Sequence, residues 1–199
     1  MSDSLLPQDS AGPRWRLIVG VIGLIYGIGG SLMWIAALAG SLLWGPMMKM
    51  AGMGDIQMPA VIRLTSIVQS AVLVALGILL AIGSMNLLRM RPSGASIMRA
   101  WVVVRMFVLI ASFILGFVLL PTQVAFQVKM VEVQRDVFRE RGVPEKDLPV
   151  ADPAKIEAWM RYSLGGISLV AAAFPIFVGV VLTNRKKKAE IDSWRTMIR

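Results

Sequence analysis

The chain has 199 residues, of which 56% are hydrophobic and 17% are charged, and its formal net charge is +9. Soluble domains carry about 25% charged residues, so this composition argues against a soluble protein and predicts a membrane protein. The chain has no cysteine and no histidine, which excludes disulfides, thiolate metal sites and the commonest general base.

Long uncharged runs alternate with charged connections along the chain. Each run exceeds the roughly 18–20 apolar residues that a helix needs to cross about 30 Å of hydrocarbon. We therefore predict an all-α membrane protein with a four-helix bundle over residues 17–184, preceded by a tail at 1–16. The four spans are predicted at about 17–43, 64–88, 103–126 and 161–183.

The first predicted helix places small residues along one face. Glycine suits such a face because helices in lipid associate by close backbone approach. Either these faces pack inside the bundle, or the first of them binds another subunit. At steps of three and four the first face reads Gly20, Gly23, Gly27, Gly30, Trp34, Ala37 and Ser41, and the other helices add Gly77, Gly116 and Gly165.

The first outer connection is rich in methionine. Thioethers are soft ligands that suit Cu(I), whereas methionine also serves as adaptable apolar packing. The methionines are therefore consistent with either a Cu(I) site or apolar packing. The five methionines are Met47, Met48, Met50, Met53 and Met58.

One charge, Arg105, lies just inside the third predicted span. Counting outward from Gly94 in the second connection places it level with Gly83 and Ser84 and near Asn86. One interpretation is a buried arginine that pairs with Asn86 or binds a lipid head group. The other is a side chain that extends along its stem to the nearby membrane surface.

The third helix is predicted to continue out of the membrane as an amphipathic helix over residues 127–142. Gly142 is a natural residue to end it. We expect this segment either to lie on the membrane surface or to dock on a partner. Asp152 followed by Pro153 predicts an N-cap that starts the fourth helix. The apolar stripe consists of Phe126, Met130, Val133 and Val137.

The basic residues are distributed unevenly. The side that holds both ends and the second connection has twelve basic and four acidic residues, whereas the other side has nine and eight. Basic loops favour the cytoplasm, so both termini are predicted to be cytoplasmic, in the inner membrane. Aromatic residues predict two interfacial belts, with Trp15, Trp101 and Trp194 inside and Trp44, Trp159 and Tyr162 outside.

The C-terminal tail, 185–199, is predicted to contact anionic lipid. Trp194, Met197 and Ile198 would let its later part lie on the membrane surface. Its first residues are basic, which is also the usual composition of a topology signal. They are Arg185, Lys186, Lys187 and Lys188.

The predicted spans contain no carboxylate, and the chain has no catalytic or cofactor motif. We therefore expect no enzyme activity, no cofactor and, because the charges of the outer helix are mixed, no nucleic-acid partner. The leading hypothesis is an accessory or structural subunit of a larger membrane assembly. Its partners would be lipid and other membrane subunits or a second copy. The alternatives are a small transporter or metal-handling protein with the methionine loop at its entrance, and a lipid-linked enzyme.

Overall fold

The computed structural model describes residues 14–53 and 56–197, with side chains described as far as Trp194 in the last helix. Residues 1–13, 54–55 and 198–199 lie outside the described residues, and the predicted lipid contacts of Met197 and Ile198 lie outside the described side chains. The chain is helical throughout the described part, apart from turns and connections. This confirms the predicted all-α fold with four long packed helices. The helices are α1 (Arg14–Leu42), α2 (Trp44–Met50), α3 (Ala60–Leu88), α4 (Pro92–Glu140), α5 (Pro153–Thr183) and α6 (Arg185–Met197), with a 3-10 turn at Glu145–Asp147.

Four helices, α1, α3, α4 and α5, are long and apolar enough to cross a membrane. They indicate a multi-pass membrane protein. All four begin before the predicted spans, because hydropathy marks only the apolar part of a helix. Proline starts two of these: Pro92 is the first residue of α4 and Pro153 the first of α5, where its missing N–H has no partner to lose.

Helix α4 has 49 residues and continues through Pro121, which gives it a length of about 73 Å. The predicted extension of the third helix is thereby confirmed. Gly142 has φ +77° and donates its N–H to the carbonyl of Arg139, while Val143 donates to Phe138. This arrangement satisfies the last carbonyls of the helix.

The extension of α4 is partly covered by the chain itself. Phe126 is buried and its ring lies 5.8 Å from that of Trp44 in α2. Glu145, in the connection that follows, lies 3.5 Å from both Arg135 and Arg139. Phe126 of this stripe therefore packs on the protein itself, while the docking of segment 127–142 on a membrane surface or a partner stays a prediction.

Asp152 caps α5 as predicted. Its Oδ1 accepts hydrogen bonds from the backbone N–H groups of Ala154 at 3.1 Å and Lys155 at 3.2 Å. The N–H of Lys155 is the main reason that the pKa of Asp152 is lowered. Because the pKa is lowered, the stabilisation that the ionised Asp152 side chain gives to α5 is complete above the ordinary carboxyl pKa. This stabilisation is lost as the pH falls through the lowered pKa.

The long helices pack in the order α1, α3, α4, α5, each against the next. Helices α1 and α5 are not packed along their lengths. They meet through Tyr26 and Phe174, whose ring centroids are 4.8 Å apart. The densest core lies toward the end that holds the α3–α4 turn and α6, which we call the basic end. The core there includes Val19, Leu80, Leu87, Met98, Trp101, Val178 and Leu182.

Two of the predicted interfacial tryptophans lie inside the protein. Trp101 is 1% exposed because α4 starts at Pro92, which places Trp101 more than two turns into the bundle. Trp194 of α6 is also buried and stacks on Trp15, with centroids 6.3 Å apart. Trp15 Nε1 also donates to Glu190 at 2.9 Å. The predictions that Trp101 joins a belt and that Trp194 lies on the membrane are therefore wrong.

Candidate functional site

Arg105 lies at mid-height in the bundle. It lines a cavity together with Gly29 and Gly30 of α1, Leu73 of α3 and Ile167 of α5, all of which are within two residues of the centres of their helices. Along α4 it is thirteen residues from Pro92, or about 20 Å. The guanidinium is thus deep in the bundle and far from both ends.

The predicted register of Arg105 is wrong, and so is its place just inside the span. The turn between α3 and α4 is centred near Met90, which has φ +55°, and not at Gly94. A Cβ at Gly83 would lie 3.0 Å from Met98, so Gly83 faces the start of α4. By the same register Arg105 lies about level with Leu76, which lines the same cavity. Asn86, which is half-buried, lies toward the basic end.

Arg105 is 9% exposed, and its buried Nε has no hydrogen-bond partner. Among residues 14–53 and 56–197, no carboxylate forms an ion pair with it. One helical turn earlier, the buried indole Nε1 of Trp101 also lacks an acceptor. Residues four apart share a helix face, so α4 presents two unsatisfied donors on the same side.

Both side chains line an apolar cavity of about 530 Å³, which we call the inner chamber. Its walls come from α1 and α5, and its base comes from α3 and α4. Met33 of α1 and Val170 of α5 line it and are strongly exposed, Val170 by 77%. The chamber therefore opens sideways between α1 and α5, toward the surface that faces lipid in a membrane.

An aromatic group lies on the basic-end side of this chamber. Trp101 lies edge-on to Tyr26 at 6.4 Å and to Phe174 at 5.9 Å between ring centroids. Tyr26 and Phe174 stack on each other. These three rings join α1, α4 and α5 where the chamber ends, so the chamber does not continue into the core near the basic end.

A second cavity, of about 310 Å³, lies on the opposite side of Arg105, and we call it the outer chamber. It extends toward α2 and the α4–α5 connection, with Trp159 among its lining residues. Arg105 belongs to both chambers, along with Trp34, Leu73, Ile167 and Ala171. The outer chamber is the more polar of the two, because its lining includes Thr65, Gln69, Ser112, Gln123, Ser163 and Ser168.

The glycines predicted to pack fall into two groups. A Cβ on Gly27 would lie 2.8 Å from the carbonyl oxygen of Gly77, and a Cβ on Gly116 would lie 2.8 Å from Leu164. Gly20 and Gly23 likewise face Leu88 and Ser84 of α3. These glycines therefore lie at contacts between helices of the same chain, as the internal-packing interpretation expects.

Gly30 and Gly165 do not lie at such contacts. A Cβ on either would meet no heavy atom of the described residues within 4 Å. The same is true of Gly29 and Gly166, which line the inner chamber with Gly30. The seven-position face on α1 thus turns away from α3 at Gly30, and glycine there leaves space between α1 and α5.

The remaining predicted site residues lie elsewhere. Met47 and Met50 are exposed, whereas Met48, Met53 and Met58 are half-buried, and copper binding stays a prediction. Lys187 Nζ lies 5.4 Å from the ring centroid of Trp15. Arg185, Lys186 and Lys188 are exposed at the basic end, and their contact with anionic lipid stays a prediction.

The sequence identified Arg105 but not the chamber around it. The signals were present: Trp101 one turn before Arg105, and glycine pairs at 29–30 and 165–166 on two helices. These residues did not predict a cavity, because the sequence does not show that α1 lies beside α5. No family model, curated protein or solved structure matches this chain.

Proposed function

We propose that this chain is a non-catalytic multi-pass membrane protein that takes a lipophilic molecule from the bilayer into the inner chamber. The observation that carries this proposal is the apolar cavity of about 530 Å³ that opens sideways between α1 and α5. Its volume lies within the range of about 300–1,000 Å³ that is typical of small-molecule sites. Its mouth faces the hydrocarbon, where such molecules are dissolved.

The size of the chamber argues against a helix of a partner protein as its occupant. A helix about 10 Å in diameter that rises about 1.5 Å per residue fills roughly 120 Å³ per residue. The chamber therefore has room for about one helical turn. A lipid chain or a compact lipophile fits this space better than a transmembrane segment.

This cavity suggests how the protein would act as the accessory subunit that the sequence predicts. Helix α3 already covers Gly20, Gly23 and Gly27 of α1, so that face is not available to another subunit. We propose instead that the bound lipophile is what the protein contributes to a membrane assembly. The basic end, with Arg185 and Lys186 exposed, would face the cytoplasm.

Filling the chamber tests the proposal. Gly30→Leu and Gly166→Leu place a large side chain where a Cβ meets open space in the cavity wall. The measurement is cross-linking of a photoreactive alkyl-diazirine lipophile to the protein in phosphatidylcholine nanodiscs. We expect several-fold less labelling of α1, α4 and α5 peptides in both variants.

Gly40→Leu is the matched control, because Gly40 is on the same helix and also faces open space but does not line the chamber. Its labelling should equal that of the unmodified protein. Equal labelling in all four proteins would overturn the proposal.

A further inference from the structure

We infer that the molecule held in the inner chamber is an acidic amphiphile whose carboxylate or phosphate head group binds at Arg105 and Trp101. This inference rests on the proposed function, because it names the chemical class of the lipophile. Two observations support it: two unpaired hydrogen-bond donors lie on one face of α4, and two chambers meet at Arg105.

The site has hydrogen-bond donors without acceptors. Arginine and the indole N–H only donate hydrogen bonds, and the buried Nε of Arg105 and Nε1 of Trp101 have no acceptor. Buried polar groups in native proteins are nearly always paired. Two unpaired donors one turn apart on the wall of one cavity therefore offer a place for an acceptor from outside the described chain.

The charge of Arg105 favours an anionic ligand. Arginine side chains in proteins are positively charged, and Arg105 is buried at mid-height in a bundle of apolar helices. An unpaired charge at that depth is costly, and charged residues inside membrane bundles usually mark binding sites or ion paths. A neutral oxygen would satisfy a donor but would leave the charge unbalanced, whereas an anion does both.

The two chambers together suit a ligand with a polar head group and an apolar chain. The inner chamber is apolar and opens toward lipid, and it suits a hydrocarbon chain. The outer chamber carries hydroxyl and amide side chains, including Thr65, Gln69 and Ser112. Arg105 stands where the two meet, so a charged head group at Arg105 has polar surroundings on one side and its own chain on the other.

Equilibrium binding to the full-length protein in neutral detergent tests the inference. The probes are radiolabelled oleate, oleoyl lysophosphatidate and oleyl alcohol, which share one chain and differ in the head group. We expect the better of the two acids to bind at least about tenfold more tightly than the alcohol, as a charge-assisted hydrogen bond gives. The comparison of oleate with lysophosphatidate identifies the preferred head group.

Two variants separate head-group recognition from packing. Arg105→Met keeps an apolar stem of similar length and should abolish the preference for acids, because it weakens binding of the acids far more than binding of oleyl alcohol. Trp101→Phe keeps the ring contacts with Tyr26 and Phe174 and should reduce acid binding by a smaller factor. Arg63→Met, at an exposed arginine of α3, is the matched control and should behave like the unmodified protein.

Stability without ligand gives an independent measurement. Because Arg105 is an unpaired buried charge, Arg105→Met should raise the melting temperature of the delipidated protein. A merely structural role for Arg105, such as a bond that holds the helices together, predicts a lower melting temperature. That result would overturn the inference.

The remaining outcomes of the binding experiment each contradict a different part of the inference. If the alcohol binds as tightly as the acids, or if Arg105→Met keeps the preference for acids, the inference that Arg105 binds an acidic head group is wrong. The proposal that the chamber binds a lipophilic molecule is then retained. If butyrate or inorganic phosphate binds as tightly as the long-chain acids, the amphiphile is wrong. If none of the long-chain probes binds, the proposed function fails and the inference fails with it.

Discussion

Glycine has two opposite uses in this protein, and single positions show the difference. Gly27 and Gly77 let the backbones of α1 and α3 touch, since a Cβ on either would lie within 3 Å of the carbonyl oxygen of the other. Gly30, only three residues later, borders an open chamber. In the first case the missing side chain allows the two helices to touch, and in the second it leaves open space between α1 and α5.

Gly27→Ala is expected to destabilise the protein by about 1–3 kcal/mol, the usual cost of an overpacked contact. The new methyl group would meet backbone atoms, Gly77 O at 2.8 Å and Ala81 N at 2.9 Å, which cannot move aside as a flexible side chain does. The measurement is thermal unfolding in mild detergent. Gly40→Ala, where a Cβ meets open space, should change the melting temperature little, and equal losses in the two variants would contradict the argument.

At the scale of elements, α6 is a short helix that is held in place by contacts with the rest of the protein. It has 13 residues, and isolated helices of this length are marginal in water. Trp194 and Ile191 are buried against the bundle, and Trp194 stacks on Trp15. The tail that the sequence predicted to lie on lipid is thereby held on α1 by protein contacts.

Trp194→Ala should release α6 from the bundle. The substitution removes the stack on Trp15, and loss of a buried tryptophan typically costs about 3–5 kcal/mol, more than a helix this short gains by itself. We expect faster amide hydrogen exchange over residues 185–197 and unchanged exchange in α1, α3 and α4. Asp192→Ala, at an exposed position of the same helix, is the control. Unchanged exchange in Trp194→Ala would show that other contacts hold α6.

At the scale of the whole molecule, the four long helices pack in the order α1, α3, α4, α5. The first and last of them, α1 and α5, contact each other only toward the basic end of the bundle. Helices α1 and α5 meet at Tyr26 and Phe174 and separate beyond them, around Gly30 and Gly166. The chamber lies in that separation. A bundle with all four helices packed equally would leave no space beside Arg105.

The orientation of the whole molecule can be tested directly because the chain has no cysteine. Single substitutions Lys146→Cys and Lys188→Cys place thiols at exposed sites at the two ends of the bundle. With the basic end in the cytoplasm, a membrane-impermeant maleimide added to intact cells should label Lys146→Cys but not Lys188→Cys. Labelling of both or of neither would contradict four spans, and the reverse pattern would invert the orientation.

The sequence by itself determined the features that depend on local composition and on caps. Uncharged runs of more than 20 residues require helices in a membrane, because no other open structure satisfies its backbone there. The extension of α4 beyond Pro121 followed from its apolar stripe, its end followed from Gly142, and the start of α5 followed from Asp152. Each of these signals acts within a few residues along the chain.

Only the tertiary structure decided which helix faces meet. The glycine face of α1 had two interpretations until α3 was placed against Gly20, Gly23 and Gly27. Trp101 and Trp194 were assigned to lipid, because the sequence does not show which neighbour covers a side chain. The chamber at Arg105 is a gap between α1 and α5, helices far apart in sequence. A gap of this kind depends on packing between distant segments, so no local pattern reports it.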